Sequence, residues 1–321
     1  MKTPQFWYKP PGILSASLAP LGWVYSNIAS RIRSFKKSHK FSVPIISIGN
    51  IVCGGAGKTP VALSLAKLLQ SKEFIVHFVT RGYKGIEIGP LKVDPTQQTY
   101  QEVGDEALLL AQQAPTWVAK KRGDGIKKAI ENGAEIVILD DGHQTSGLVK
   151  DLSLVVIDSL QDFGNGYPLP AGPLRENLKE GLKRADGFIY IGEKTPLSLQ
   201  PCFKATLELK SLILSKKRAV AFCGIGFPQK FYRSVKDMNF NLVAMESFPD
   251  HYAYKEEDLL RLEKLAQSHD AILITTRKDW IKINPSWQER LYVLDMSIQF
   301  QDEVELYHFI LGKIPILMER S

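Results

Sequence analysis

Six consecutive residues, Gly54, Gly55, Ala56, Gly57, Lys58 and Thr59, have the types and order of a phosphate cradle. An apolar run, Ile45-Ile46-Ser47-Ile48, leads into them. An apolar pattern at helical spacing follows over Val61, Leu63, Leu65, Ala66, Leu68 and Leu69. Glycines let backbone N–H groups curl around an anion, and a helix N-terminus adds its dipole. In that setting Lys58 reaches the terminal phosphates of a nucleotide and the Thr59 hydroxyl ligates Mg²⁺. ATP or GTP binding is therefore expected. The match is imperfect, because the usual pattern asks for glycine where this chain has Val52. Asn50, just upstream, is a further candidate for positioning a nucleotide or substrate oxygen.

Nucleotide chemistry also needs an element that holds the metal. The run Glu135-Ile-Val-Ile-Leu-Asp140-Asp141-Gly142 supplies one. It reads as a buried strand delivering two carboxylates at its C-terminal end, where ligands bind in open α/β sheets. Asp140 or Asp141 would hold Mg²⁺, directly or through water. The structural alternative is a strand that ends in an Asp-Asp-Gly turn.

These residues need a scaffold of strands and helices. Strand-like runs fall at 75–80, 136–139, 154–157, 187–191, 218–223, 242–245 and 271–275, with helical runs at 105–113, 125–132, 230–238 and 256–269. The alternation predicts parallel sheets covered by helices. A second strand–turn–helix unit restarts near residue 215, and its Cys223-Gly224-Ile225-Gly226 turn reads as a βα connection. The expected division is 1–38 as membrane-associating helices, 39–214 as a P-loop domain and 215–321 as a second α/β domain. The C-terminal helix is left free to pack back on the first domain.

With 321 residues and 44% hydrophobic composition, the chain can bury a sizeable core. A net charge of +7 points to an anionic partner. Much of the excess sits at Arg31, Arg33, Lys36, Lys37 and Lys40, beside an apolar segment. That favours an anionic membrane surface over nucleic acid, and no aromatic-basic interleaving of the kind that stacks bases is present. Cys53, Cys202 and Cys223 form no zinc or C-x-x-C spacing and read as buried small hydrophobes in a reducing compartment.

Leu14, Leu18, Leu21, Tyr25, Ile28 and Ile32 recur at spacings of four and three, one face of a helix. Pro20 is expected to split it into two short helices. Trp7, Tyr8 and Trp23 suit a lipid interface. No apolar stretch reaches the roughly 20 residues that span a bilayer, and Pro11, Ser15, Ser17 and Pro20 break up any export signal. A helix lying on an anionic leaflet is favoured; packing on the protein's own core and a true span are the alternatives.

Several motifs, in order and over nearly the whole chain, resemble those of the tetraacyldisaccharide 4′-kinase family, the membrane-associated lipid A 4′-kinases of Gram-negative bacteria. They include Leu18-Ala-Pro-Leu-Gly-Trp-Val-Tyr25, Gly54-Gly-Ala-Gly-Lys-Thr-Pro60, Thr80-Arg-Gly-Tyr83 and Val103-Gly-Asp-Glu106. Asp140-Asp-Gly-His-Gln144, Ala171-Gly-Pro-Leu-Arg-Glu176, Pro249-Asp-His-Tyr252 and Thr276-Arg-Lys-Asp279 follow. The family's phosphate turn also lacks glycine at the place of Val52. The resemblance implies a P-loop α/β/α sandwich with a smaller α/β/α domain, ATP bound on the first, and a cleft that closes between them. It implies transfer of the γ-phosphoryl of ATP, with Mg²⁺, to the 4′-hydroxyl of an acylated disaccharide 1-phosphate. Asp105 and His251 would activate that hydroxyl, a pairing that makes a workable base near neutral pH. Their structural alternatives are a helix N-cap and a turn residue. Arg175 would clamp phosphate beside Lys58, Arg122 is a second candidate clamp, and Glu176 a candidate near the metal. For these charged groups a solvated loop is the alternative. The resemblance also implies a monomer held peripherally or monotopically at the cytoplasmic face of the bacterial inner membrane.

Three positions depart from the family pattern. The family commonly reads Asp-Asp-Gly-Phe-Gln-His, whereas here His143 stands at the Phe and Thr145 at the His. Arg277 replaces a Glu in the last motif, reversing a charge. Two other classes stay open from residues alone: a membrane-associated nucleotide switch releasing phosphate to water, and a cytosolic small-molecule kinase.

Overall fold

Along Ile45–Gly49 (β1), Ile46 and Ile48 enter one apolar layer and Ile45 the opposite one. Ile136–Asp140 (β5) repeats this, with Ile136 and Ile138 on the first side and Val137 and Leu139 on the second. Both faces of these strands are therefore apolar, as a parallel sheet covered twice by helices requires. The computed structural model describes residues 4–34, 37–193, 199–209 and 217–320. The expected boundary at 214/215 lies outside the described residues, as does Lys36.

The other strands of the first half are β2 (Val76–Thr80), β3 (Leu91–Lys92), β4 (Thr116–Val118), β6 (Leu152–Asp158), β7 (Gly187–Ile191) and β8 (Cys202–Leu209). Later come β9 (Arg218–Cys223), β10 (Asn241–Ser247), β11 (Ile272–Thr276), β12 (Tyr292–Leu294) and β13 (Met296–Phe300). The larger sheet has nine strands in the order β13-β8-β7-β6-β1-β5-β2-β4-β3. It is parallel except at its two edges, where β13 runs against β8 and β3 against β4. The helices Lys58–Gln70 and Glu303–Lys313 cover one face, and Arg122–Glu131 the other. The smaller sheet, β10-β9-β11-β12, is parallel and lies between the helices Pro228–Asp237 and Glu256–Ser268. Two α/β/α sandwiches result, as expected.

Two expectations are corrected. Residues 215–321 do not stay in one unit. β13 joins the larger sheet, and Leu306, Ile310 and Leu311 of the following helix are buried in the first core. The N-terminal segment is one helix, Ile13–Ser34, not two. Pro20 removes a single bond to the carbonyl of Ala16, and Ala16 is exposed, so water can satisfy that carbonyl.

This helix faces the protein with its small side. Ser15 and Ser26 are buried, and a Cβ on Gly22 would lie 2.7 Å from the Pro168 carbonyl oxygen. Asn165 Nδ2 donates to Ser15 Oγ at 3.0 Å. The apolar side looks outward: Ile13 is 92% exposed, Trp23 67%, Leu21 60% and Ile32 59%. Cys223 is buried, while Cys53 and Cys202 are only partly so, and all three are free.

Candidate active site

β1 ends at Gly49, and the chain then turns through Asn50 to Thr59. Val52 sits here because its backbone is used elsewhere. It forms an antiparallel bridge with Leu174, and both side chains are buried together. On either side, Cys53 N–H donates to Pro173 O and Arg175 N–H to Ile51 O, each at 2.8 Å. The Ala171–Glu176 motif is thus laid along the phosphate turn, and an extended Val serves where glycine is usual. Gly57 does need its residue type: its φ of +84° turns the chain into the helix Lys58–Gln70.

At the tip of β5 the two carboxylates diverge. Asp140 is 1% exposed and accepts from Thr59 Oγ1 at 3.0 Å. Burial, then the charges of Glu106 and Asp141, push its carboxyl up to about 7. Asp141 takes Arg175 Nη1 at 2.8 and 2.9 Å, with Lys58 Nζ at 3.7 Å. Burial opposes its ionisation, but Lys58 and Arg175 outweigh that and hold it well below the usual carboxylate range. Its backbone φ of +52° is left-handed, a strain that the surrounding contacts must support. Asp140 and Thr59 are the oxygen pair suited to a divalent cation. A buried carboxylate held near neutrality is one that a metal charge would relieve.

Across the cleft, His251 Nδ1 lies 2.7 Å from Asp105 Oδ2. Asp105 opens the helix Asp105–Ala111, and its Oδ1 accepts the Glu106 N–H at 2.9 Å. Gly104, not Asp105, is the N-cap of this helix, so Asp105 is the first helical residue and its other oxygen is left to His251. His251 has φ +58° and its N–H donates to Gly224 O at 3.1 Å. Lys278 Nζ stands 3.3 Å from His251 Nε2 and 3.4 Å from Glu106 Oε1. Burial works against the Lys278 ammonium, but Glu106, Asp105 and Asp250 raise its pKa above the ordinary value. Asp105, Glu106 and His251 have the spacing of a metal site, and the Lys278 charge already balances them. Burial opposes the Asp105 charge too, yet the bonds from His251 and the Lys278 charge lower its pKa. Asp105 and Glu106 come from the larger unit, His251 and Lys278 from the smaller. The two units also meet at a buried ion pair, Lys230–Asp158 at 2.7 Å. A Cβ on Gly226 would lie 3.2 Å from Gly55 N, so only a small residue lets the second unit approach the phosphate turn this closely.

Three predicted residues are engaged by the protein itself, although Arg122 also lines the cleft. Glu176 is fully buried and does not line the cleft; it accepts from Gln144 Nε2 at 3.0 Å and pairs with Arg184. Arg122 Nη2 donates to the carbonyls of Asp140 and Asp141 at 2.8 Å, and Nη1 to Thr145 Oγ1 at 2.6 Å. Its fork braces the tip of β5. Asn50 is buried with neither side-chain polar atom hydrogen-bonded. Arg277 is bound to Asp295. Lys278 and Glu106 were missed as site residues, although both stand inside motifs quoted above; nothing in their spacing says that they meet.

The phosphate turn, Glu106, His251 and Lys278 line one cavity of about 990 Å³ between the two units, and Tyr25 and Ala29 of the N-terminal helix reach its rim. A family model described as tetraacyldisaccharide-1-P 4′-kinase matches residues 14–315. The chain belongs to this family. A tetraacyldisaccharide 4′-kinase of Paramagnetospirillum magneticum is 42% identical over 309 residues, covering 94% of this chain and 95% of the relative. That of Rhodospirillum rubrum is 38% identical over 331 residues, covering 98% and 100%. A solved structure, LpxK from Aquifex aeolicus in complex with ATP, superposes with a TM-score of 0.77 at 29% identity, covering 94% of this chain and 99% of that one. The protein is thus a kinase of the tetraacyldisaccharide 4′-kinase family with a P-loop α/β fold.

His143, at the family's Phe, is 1% exposed. Nε2 lies 2.9 Å from Gly181 O, so it must carry the proton, and Nδ1 accepts from Ser153 Oγ at 3.2 Å. Burial, then Arg184 and Lys150, lower its pKa to about 4. The unfolded chain takes up this proton near pH 6.5 and the folded one only near 4. His143 therefore costs nothing above about 6.5, and stability drains as pH falls through that window, by on the order of 1 kcal/mol per pH unit. Urea unfolding of wild type and His143→Phe at pH 7.0 and 4.5 should show a smaller loss in the variant. Equal losses would refute the buried neutral imidazole.

Proposed function

We propose that this protein transfers the γ-phosphoryl group of ATP to the 4′-hydroxyl of a tetraacyldisaccharide 1-phosphate, a step of lipid A biosynthesis. The observation that carries the reading is the 2.7 Å Asp105–His251 bond, made across the cleft from the phosphate turn. His251 Nδ1–H donates to Asp105, so Nε2 is the free base. Lys278 donates to Nε2 and fixes that tautomer until the acceptor hydroxyl takes its place. Nε2 then accepts the hydroxyl proton as the oxygen attacks the γ-phosphorus, whose bond to the β,γ-bridging oxygen breaks and releases ADP. Lys58 and Arg175, held together by Asp141, offset the charge on the transferred group. Thr59 and Asp140 would hold Mg²⁺, whose charge neutralises the nucleotide phosphates when bound. Arg122 positions the β5 tip, and Glu176, through Gln144, supports the turn at Asn50.

The reading divides the chain into a membrane-associating segment, 1–38, a kinase unit to which 296–320 returns, and a smaller unit ending at 295. Among the described residues no helix is long and apolar enough to cross a membrane. We infer that the outward apolar face of Ile13–Ser34 lies in an anionic leaflet, at the cytoplasmic face of the inner membrane, with the protein acting as a monomer. A nucleotide switch would not need the Asp105–His251 pair.

The decisive experiment is transfer from γ-³²P-ATP to a tetraacyldisaccharide 1-phosphate in detergent. Label should appear in the lipid and vanish in Lys58→Ala; label only in free phosphate would sink the kinase reading in favour of the switch. Asp105→Ala and His251→Ala should each lower kcat by roughly 10²–10⁴. The double variant should be little worse than the worse single, whereas multiplicative losses would contradict a single catalytic unit. Binding to phosphatidylglycerol vesicles should weaken with salt and on removal of residues 1–38. Binding that ignores both would rule out the interfacial helix.

A further inference from the structure

A second cavity of about 730 Å³ opens beside the cleft and contains none of the phosphate-turn residues. Its wall includes Lys40, Arg81, Lys120, Lys121, Arg122 and Lys127, against Asp124 and Glu131. Glu131 is already paired with Lys128 at 2.7 Å. Arg81 has no carboxylate partner among the described residues. Arg122 is 5% exposed, and its Nε–H has no acceptor. Burial, then the Arg81 charge, lower the Arg122 pKa to about 10, so the two guanidiniums repel one another at one cavity. The ten-residue helix Arg122–Glu131 also starts in this wall, and its N-cap residue, Lys121, offers no side-chain bond to the first-turn N–H groups. Crowded cations, a buried donor without an acceptor and a helix N-terminus together ask for an anion of high charge.

The nucleotide does not fill this need, because its cradle lies in the other cavity. The two cavities are neighbours, with Arg81, Arg122 and Thr145 lining both. His39, five residues beyond the end of the N-terminal helix in sequence, bridges to Leu148 in the basin wall. A lipid resting on that helix would therefore present its head group here. We propose that this basin binds the phosphate monoester that the acceptor already carries, its 1-phosphate, and so decides which end of the disaccharide meets the γ-phosphate. The proposal rests on the kinase reading above. The two ends of such a disaccharide are alike in shape and differ in charge, so a cationic basin selects the correct one. Phosphates of the bilayer share this chemistry and are the competing source.

The test compares acceptors with and without the 1-phosphate, in detergent, using wild type, Arg81→Ala and the double variant Lys121→Ala/Lys127→Ala. Both variants should raise KM for the phosphorylated acceptor by about tenfold, with kcat within about threefold and KM for ATP unchanged. On the acceptor lacking the 1-phosphate, wild type should show the raised KM and the variants no further loss. Equal losses on both acceptors, or none on either, would overturn the proposal. Loss of phosphatidylglycerol-vesicle binding with acceptor discrimination intact would also overturn it, giving the basin to the bilayer. Should wild type label neither acceptor, the kinase reading itself fails, and the basin is judged by ³¹P NMR of glucose 1-phosphate. With a non-hydrolysable ATP analogue saturating the cleft, broadening lost in the variants upholds a phosphate site; broadening unchanged, or absent in wild type, refutes it.

Discussion

The carboxylate of Asp105 is buried in the larger unit, and no cation among the described residues of that unit pairs with it. Its charge is met by His251 at 2.7 Å and Lys278 at 3.9 Å, both from the smaller unit. A buried carboxylate without such partners is expensive, so apposition of the two units is coupled to its ionisation. The same contact that makes the interface sound also gives His251 its orientation and tautomer. Orientation of His251 and docking of the units are therefore one event. Gly226 against Gly55 and Lys230 against Asp158 allow and reinforce that approach.

A second constraint acts at the phosphate turn. Pairing of Val52 with Leu174 turns a loop into a short two-stranded clip, which brings Arg175 to Asp141 and Asp141 to Lys58. The departure from the usual glycine pattern is thus the cause of the site's layout. A glycine at this point would lose the apolar contact with Leu174 and free a backbone that must stay extended. Arg122 secures the other side by capping the carbonyls at the end of β5, which lets Asp141 hold its left-handed φ.

Much of this was legible in the residues. The runs at 187–191 and 218–223 are strands with those bounds, because unbroken apolar stretches flanked by turns leave little choice. β4 has only three residues, and β13 alternates weakly, so neither stands out from its surroundings. Asp105 with His251 was readable only through the family pattern, since 146 residues separate them. From charge alone Arg122 and Glu176 read as groups for phosphate or metal, and Arg122 does line the cleft. Their actual partners, backbone carbonyls for one and Gln144 and Arg184 for the other, depend on tertiary approach that no local spacing encodes. Lys278 escaped for the same reason.

The N-terminal helix inverts the usual logic of amphipathic packing. A helix of a soluble domain buries its apolar face and shows its polar one. Here Ser15, Gly22 and Ser26 make the intramolecular seat, and Ile13, Leu21, Trp23 and Ile32 are left outside. Small residues permit a close, shallow contact that holds the helix in place without consuming its apolar surface. Tyr25 and Ala29 carry that surface to the rim of the cleft. On the interfacial reading proposed above, an acylated acceptor would leave its chains in the leaflet while only its sugar enters the site. Removing several acyl chains from a bilayer would cost about 0.8 kcal/mol for every methylene. On that reading, a site that meets the head group at the membrane plane avoids that cost, which would account for an apolar face turned outward.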